Sequence, residues 1–539
     1  MLYRFALRQG RWGLAGYSLF AFLLGLVQTA GFYQVAGHTA AERAAFGKSM
    51  TLLAAQFTVI VPEPLRPDTV GGYVQWRAYG FAALVFGIWA LASAVGASRG
   101  DEERGLVETV LAAGVSKADL VMARVVVFAA AVLVAAISEA AGVYAGLDRS
   151  HDWIDPGAVA AASLLLIGLA LSCYALALLI CQLVAARLAA SVAGVVLLML
   201  FLVNSLGRSL DVLRPWRWLS PFYYYDLSRP LAPGGTIDVR ATEVLFAVAV
   251  ISGLAAAIGF VWRDLGSPLI RFRVRGHQVT QQASTLALWQ IPVVRGLYDR
   301  RTELVAWTAG TAVLAAVFVI LTKSIVQPLL GISELAPYFR SIIHGEIYPS
   351  FLGFVWFGVA QLLFAGYAIS QVARWSAEDS DGRLEMTLSE PMGRGLVLLE
   401  RTFVLTVSLL IIAIAAGAAL GFESSAQSIT VGNRKLIEAS LLLVPFSMMF
   451  AAVGSVIAAR IPRAALGLLA GFAIASYFVT QVGPVFKWPE AVEDLSPFQL
   501  YGQPLSTGVD ATGLAIMLIV IALGLAGSAF LMNRRDIAA

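Results

Sequence analysis

The sequence predicts an all-α polytopic membrane protein of about twelve transmembrane helices, arranged as two homologous six-helix halves in parallel orientation. Three observations carry this reading: apolar blocks of bilayer length, a bias of basic residues toward alternate connecting segments, and a polar motif that occurs once in each half. Of the 539 residues, 59% are hydrophobic and only 13% charged, and the mean hydropathy of +0.78 is far above that of a soluble domain of this size. The apolar residues stand in runs of about 20, the length that crosses a bilayer core. One large soluble core is therefore excluded as their explanation.

The runs fall at about 14–36, 78–97, 120–145, 157–182, 188–206, 242–262, 303–322, 350–373, 397–420, 437–459, 464–482 and 510–532. The first follows Arg4, Arg8 and Arg11 and looks like a secretory leader. Its apolar core is longer than a leader's and another block follows, so it reads as a retained anchor. With the N-terminus in the cytoplasm, the inside segments and inner helix ends hold the larger share of the 38 Lys and Arg residues, as the positive-inside rule requires. One outside loop, near Arg208, Arg214 and Arg217, is itself basic. Both termini are then cytoplasmic, and the expected location is a bacterial plasma membrane.

The stretch from Arg263 to Thr302 carries Arg271, Arg273, Arg275, Arg295, Arg300 and Arg301 with few acids, and reads as a cytoplasmic linker. This gives a first half at 1–264, a linker at 265–302 and a second half at 303–539. Ile291 to Arg301 and Tyr3 to Trp12 both mix apolar and basic residues. Each suits an amphipathic helix on the anionic leaflet or the plain basic flank of the next span.

Other classes find little support. A net charge of +4 without aromatic-interleaved basic stretches argues against a nucleic-acid partner. Cys173 and Cys181 lie two turns apart on one span, where a straight helix keeps them from joining, and no cysteine metal site is available. His38, His151, His277 and His344 are scattered without H-E-x-x-H spacing, so no metal is assigned. No phosphate-binding G-x-x-x-x-G-K-[ST] loop occurs; the nearest string, Phe46-Gly47-Lys48-Ser49, has Glu42 at the first glycine position and no βαβ unit around it.

The repeat is read from matched positions. At one offset of 277, Gly105 meets Gly382, Glu108 meets Glu385, Leu111 meets Leu388, Lys117 meets Arg394 and Arg124 meets Arg401. Leu219-Ser220-Pro221-Phe222 recurs as Leu495-Ser496-Pro497-Phe498, each followed by a tyrosine, Tyr225 and Tyr501. Arg263-Asp264 recurs as Arg535-Asp536 just past the sixth and twelfth spans. Collinear copies of six spans both enter from the same side, related by an axis along the membrane normal.

After the second span come Asp101, Glu102 and Glu103, then Leu106, Val107, Val110 and Leu111 at helical spacing, then Gly114. The pattern predicts a short amphipathic helix with acids at its positive end. Ser116-Lys117-Ala118-Asp119 has the form of a capping box opening the third span, and the second copy makes its break with Pro391 and Gly393.

This order of acidic cluster, G-x-x-E, break and basic residue entering the next helix resembles the permeases of type-2 ATP-binding-cassette (ABC) exporters. The doubled twelve-helix form resembles the actinobacterial group described as exporters of polyketide antibiotics. The resemblance implies that the segment after the second helix of each half contacts the ATPase, which gives that role to Glu102, Glu103, Gly105 and Glu108, and to Glu378, Asp379, Gly382 and Glu385. Asp381 stands where the first copy has Arg104, so the two contacts are expected to be electrostatically unequal. It further implies two copies of a nucleotide-binding ATPase subunit as partners, with ATP and Mg bound there, and neither a cofactor nor a catalytic residue on this chain. The second and fifth helices of each half are expected to line the path, where Phe86, Trp89, Phe201, Asn204, Phe354, Trp356, Gln361, Phe364, Phe472 and Tyr477 stand. Aromatics with a few amides suit export of an apolar or amphipathic antibiotic, drug or lipid-like compound; each also serves as ordinary helix packing. Glu139, ionisable within the third span, suits contact with a substrate, a held proton or a bond to a neighbouring helix.

Two rivals explain less. A membrane-embedded lipid-linked transferase using Glu63 and Asp68 leaves the doubled motif without a role. An ion-gradient-driven carrier of the commonest twelve-helix kind needs a G-x-x-x-D-R-x-G-R loop that is not found between spans two and three. The orientation is testable: a single cysteine at Gln278 should resist an impermeant thiol reagent in intact cells while one at Asp68 reacts, and the reverse pattern would invert the topology.

Overall fold

Hydrocarbon offers no water to unpaired amides, so a spanning segment closes its backbone hydrogen bonds within itself. The computed structural model accordingly builds the chain from helices. It describes residues 2–56, 62–148, 152–208, 210–270, 291–330, 347–380, 384–385, 389, 393–429, 431–486, 493–494 and 496–534, with no strand among them. The chain forms two compact units, Met1–Gln278 and Val279–Ala539.

The first unit contains α1 (Leu2–Ala36), α2 (Ala40–Gln56), α3 (Val70–Glu103), α4 (Leu106–Ala112), α5 (Lys117–Gly146), α6 (Pro156–Leu183), α7 (Ala186–Leu206), α8 (Pro221–Asp226) and α9 (Val239–Trp262). The second contains α10 (Pro292–Asp299), α11 (Arg301–Leu330), α12 (Tyr348–Asp379), α13 (Arg394–Ala426), α14 (Asn433–Arg460), α15 (Pro462–Phe486), α16 (Pro497–Tyr501) and α17 (Ala511–Arg534). Among the described residues 11 helices are long and apolar enough to cross a membrane. The remaining block expected at 464–482 lies in α15, whose apolar part, Ala465–Thr480, is shorter.

Helix starts follow local chemistry. Asp155 accepts from the Ala158 amide at 2.9 Å and is followed by Pro156 at the first helical position, where a missing N–H costs nothing. Asp238 caps α9 in the same way through Ala241, also at 2.9 Å. Ser116 accepts from the Asp119 amide at 3.0 Å, as the S-x-x-D pattern predicts. The Tyr3 to Trp12 stretch is continuous with its span in α1, with Tyr3, Leu7 and Trp12 exposed. The other mixed stretch forms α10, whose Gly296 sits against Val404 of α13.

Three helix pairs dominate each unit, and they are the same three. The first span packs on the third (α1 on α5, α11 on α13), the fourth on the sixth (α6 on α9, α14 on α17) and the second on the fourth (α3 on α6, α12 on α14). The fourth spans are the most enclosed of each unit. Both second spans widen into a single π-turn at matching places, Gln75–Tyr79 and Gly353–Phe357, and α3 has another at Gly96–Gly100.

The α1–α5 contact depends on glycine. A Cβ on Gly142 would lie 2.0 Å from the Phe22 carbonyl oxygen, one on Gly146 2.6 Å from that of Leu26, and one on Gly25 2.4 Å from that of Glu139. Small residues four apart let two backbones meet inside a membrane, where dispersion rather than hydrophobicity drives association. Gly142→Val should force α1 from α5 and cost about 1–3 kcal/mol, read as lost monodisperse protein in detergent. Gly10→Ala, with no atom near its Cβ position, should leave the profile unchanged.

Candidate functional site

Helix C-termini carry unpaired carbonyls and a partial negative charge, so acids there need unusual support. This corrects the sequence expectation: Asp101, Glu102 and Glu103 do not open the short helix but close α3, and Gly105 at φ 70° turns the chain into α4. Asp101 and Glu102 are buried, whereas Glu103 and Glu108 are exposed.

Glu102 is held by four donors. One carboxylate oxygen accepts from Arg263 Nη1 and from the Gly266 amide, both at 2.7 Å. The other accepts from Arg99 Nη1 and Arg263 Nη2, both at 2.8 Å. The two arginines are themselves anchored. Arg263 Nε donates to Gln182 Oε1 at 2.7 Å, and Arg99 donates to the carbonyls of Cys181 at 2.6 Å and Val184 at 2.8 Å, at the end of α6. Gln182 Nε2 in turn donates to Ser98 Oγ at 3.1 Å. One latch therefore fastens α3, α6 and the segment after α9. Asp101 accepts from Arg104 at 2.9 Å and from Arg124 of α5 at 2.8 Å. Lys117 Nζ, entering α5, donates to the Arg263 carbonyl at 2.7 Å and so caps α9. Val107 of α4 packs with Leu120 and Phe260.

The second unit repeats part of this plan. Glu378 accepts from Arg401 at 2.6 Å across the same 23 residues that separate Asp101 from Arg124. Arg394 donates to the Met532 carbonyl at 2.6 Å, as Lys117 does to the end of α9. Glu378 and Asp379 are partly exposed and Glu385 is exposed. Gly382 lies outside the described residues. The same place is a cavity in both units. Ser98, Arg124, Leu178, Gln182 and Phe260 bound about 10 Å³ in the first, and Trp375, Arg401, Ser455, Ala459 and Met532 bound about 40 Å³ in the second, together with Asp379. On this scale about 10–15 Å³ admits one water, so only the second is roomy.

The far ends carry the Leu-Ser-Pro-Phe motifs. Ser220 Oγ accepts from the Phe222 amide at 3.2 Å and Ser496 Oγ from Phe498 at 3.3 Å, each with proline at the first helical position of α8 or α16. Both phenylalanines are buried. Tyr225 donates to the Tyr79 carbonyl at 3.0 Å, where the α3 π-turn ends, and Tyr501 donates to Ala439 of α14 at 2.8 Å. Burial pushes both phenols well above the ordinary tyrosine range, so they stay donors throughout the accessible pH.

The expected path residues mostly pack within their own units. Trp89 stacks on Tyr17 at 4.5 Å beside the buried Phe86, and Phe201 meets Phe222 at 5.3 Å. Asn204 is buried, donating to Asp226 at 2.7 Å and accepting twice from Arg217 at 3.2 Å. Trp356, Gln361 and Phe364 are buried, and Tyr477 lies 5.3 Å from Phe498. Phe472 is 39% exposed; the Phe354 side chain lies outside the described residues. Glu139 is wholly buried, and neither carboxylate oxygen meets a partner among the described residues. Arg99 and Gln182 escaped the sequence reading, although the recurring Arg-Asp pair had marked Arg263.

Apolar spans in two units, each with an ion-paired second helix, define an all-α multi-pass membrane protein. The chain belongs to the family described as "Multidrug efflux system permease Rv1217c, C-terminal domain", whose model matches residues 3–261 and 296–534. It is thus the membrane permease subunit of an efflux system, a transporter component rather than an enzyme. None of the curated proteins compared with it matches. The latch makes a further expectation: Arg263→Ala removes two of the four donors to the buried Glu102 carboxylate and should cost about 1.5–3 kcal/mol, whereas Arg104→Ala, at an exposed arginine, should cost little, both measured by thermal unfolding in detergent.

Proposed function

We propose that this chain is the membrane subunit of an ABC exporter, driven by two copies of a separate nucleotide-binding ATPase subunit that hold ATP and Mg. It moves an apolar or amphipathic compound out of the cytoplasm of a bacterium, with polyketide-like antibiotics the leading substrate class and both termini on the cytoplasmic side. The observation that carries this reading is the paired motif end. Each unit ties its second span to its third by an acid–arginine pair at one spacing, and presents exposed glutamates beside it: Glu103 and Glu108 in one, Glu385 in the other. The family model's match to two separate stretches supports the duplication.

In this mechanism the ATPase touches the exposed acids, not Glu102. Glu102 works behind them, making α4 a lever whose displacement reaches α3, α6 and α9 together. No bond in the substrate is made or broken. The compound's path is assigned to the second and fifth spans of each half, as the family resemblance implies, and of the residues expected there Phe472 is exposed.

One residue favours the ion-gradient alternative: Glu139, whose carboxylate meets no partner among the described residues. Drug efflux that stops on adding a protonophore while ATP is held constant would support that reading and overturn ours. The coupling surface has its own test. A desolvated charge-assisted contact contributes roughly 1.5–3 kcal/mol and a wet one much less, so Glu108→Ala or Glu385→Ala alone should weaken drug-stimulated ATP hydrolysis. The double variant should release or uncouple the ATPase while the permease still folds, because no apolar packing is deleted; unchanged co-purification and stimulation in the double would refute the contact.

A further inference from the structure

We infer that the basic, tryptophan-bearing segment 210–219 is an interfacial cap: it lies in the headgroup zone of the bilayer at the Leu206 end of α7 and presents Trp216, Trp218 and Val212 to phospholipid. The inference rests on the chain being a multi-pass membrane protein and on nothing about its energy source, so it stands or falls separately from the ABC reading.

Depth is the first support. The spanning part of α7, Leu188–Leu206, has 19 residues. At 1.5 Å per residue that is about 28 Å, no more than the hydrocarbon core of about 30 Å, so its end does not project into water. The segment is fastened to that end. Arg217 donates twice at 3.2 Å to Asn204, in the last turn of α7, and its Cγ would lie 2.6 Å from a Cβ on Gly207. The cap is thus held at the level where the span leaves the core.

Local geometry is the second support. Arg214–Leu219 is a 3₁₀ turn, in which residues three apart stand one above the other. It has three ridges: Arg214 with Arg217, Pro215 with Trp218, and Trp216 with Leu219. The first reaches α7 through Arg217. The other two are left bare, with Trp216 55% exposed and Trp218 57%, and Val212 just before them is 82% exposed.

Charge is the third. Three arginines stand at 208, 214 and 217 against one acid between them, Asp211. Arg208 donates to Asp226 at 2.6 Å, Arg214 pairs with Asp211 at 3.0 Å, and Arg217 also lies over the Tyr223 ring at 4.9 Å. These contacts staple the cap to α7 and α8, which gives the basic outside loop a structural reason. A cationic rim beside bare apolar rings complements a surface of phosphates over acyl chains. Tryptophan, with an apolar body and one N–H, is enriched at that boundary.

Spin labels on the full-length chain in phosphatidylcholine–phosphatidylglycerol vesicles test the depth. Trp216→Cys and Trp218→Cys carry the label, and Thr236→Cys, exposed in the polar turn before α9, is the aqueous reference. The native Cys173 and Cys181 are buried, and the unsubstituted chain gives their background. Oxygen concentrates in the bilayer while a nickel chelate stays in water. Labels at 216 and 218 should therefore show an oxygen-to-nickel accessibility ratio several-fold above that at 236. A ratio equal to that at 236 would put the segment in water, and low access to both reagents would put it against protein, such as a second copy; either result overturns the inference. If the cysteine variants yield too little folded protein, Trp216→Phe with Trp218→Phe decides, since subtracting its emission from that of the unsubstituted chain isolates the two indoles. Quenching of that difference by lipid brominated near the headgroup supports the cap, and its absence overturns it.

Discussion

A carboxylate at the C-terminal turn of a helix, buried against the carbonyl end of another, is among the least favourable places for negative charge. Glu102 occupies such a place, and the first unit is organised around making it tolerable. Four donors on one side chain bring Arg99 to the end of α6, Arg263 to Gln182 and the Gly266 amide over the turn after α9. Removing any of these leaves desolvated charge, which is why the contacts act as a set. The ion pair contributes little net stability over an apolar replacement; what it contributes is a unique geometry at the ends of three spans.

The two units fill the space behind their acids differently. In the first, polar side chains fill the space behind the acids. In the second, alanine and tryptophan replace glutamine and serine, the acids are partly exposed, and a cavity remains. On the proposed ABC reading, two ATPase subunits would meet unequal surfaces, since Glu378 and Asp379 are partly exposed where Asp101 and Glu102 are buried.

Much of this was legible in the sequence, and the part that was not has a physical cause. Span lengths, the Ser116 cap and the repeated Leu-Ser-Pro-Phe and Arg124/Arg401 positions are visible in local pattern and in the match between the halves. Spacing alone places the acidic cluster on the wrong helix, because a glycine between two helical stretches does not announce whether it adopts the left-handed turn that Gly105 makes. Burial of Glu102 depends on partners at positions 99, 182, 263 and 266, which only the fold assembles. The aromatic residues of the second and fifth spans were visible, but composition does not say which face a span turns inward, and Trp89 and Trp356 turn theirs into the core.

The glycine-mediated contact of α1 with α5 bears on how the protein is made. During synthesis α1 enters the bilayer well before α5 leaves the ribosome, so the face containing Gly25 waits without its mate while α2 and α3 are still being threaded. A backbone-to-backbone seam offers no long side chain to capture the partner from a distance. The first unit therefore settles only when its third span arrives, and any stall between them exposes the nascent chain to quality control.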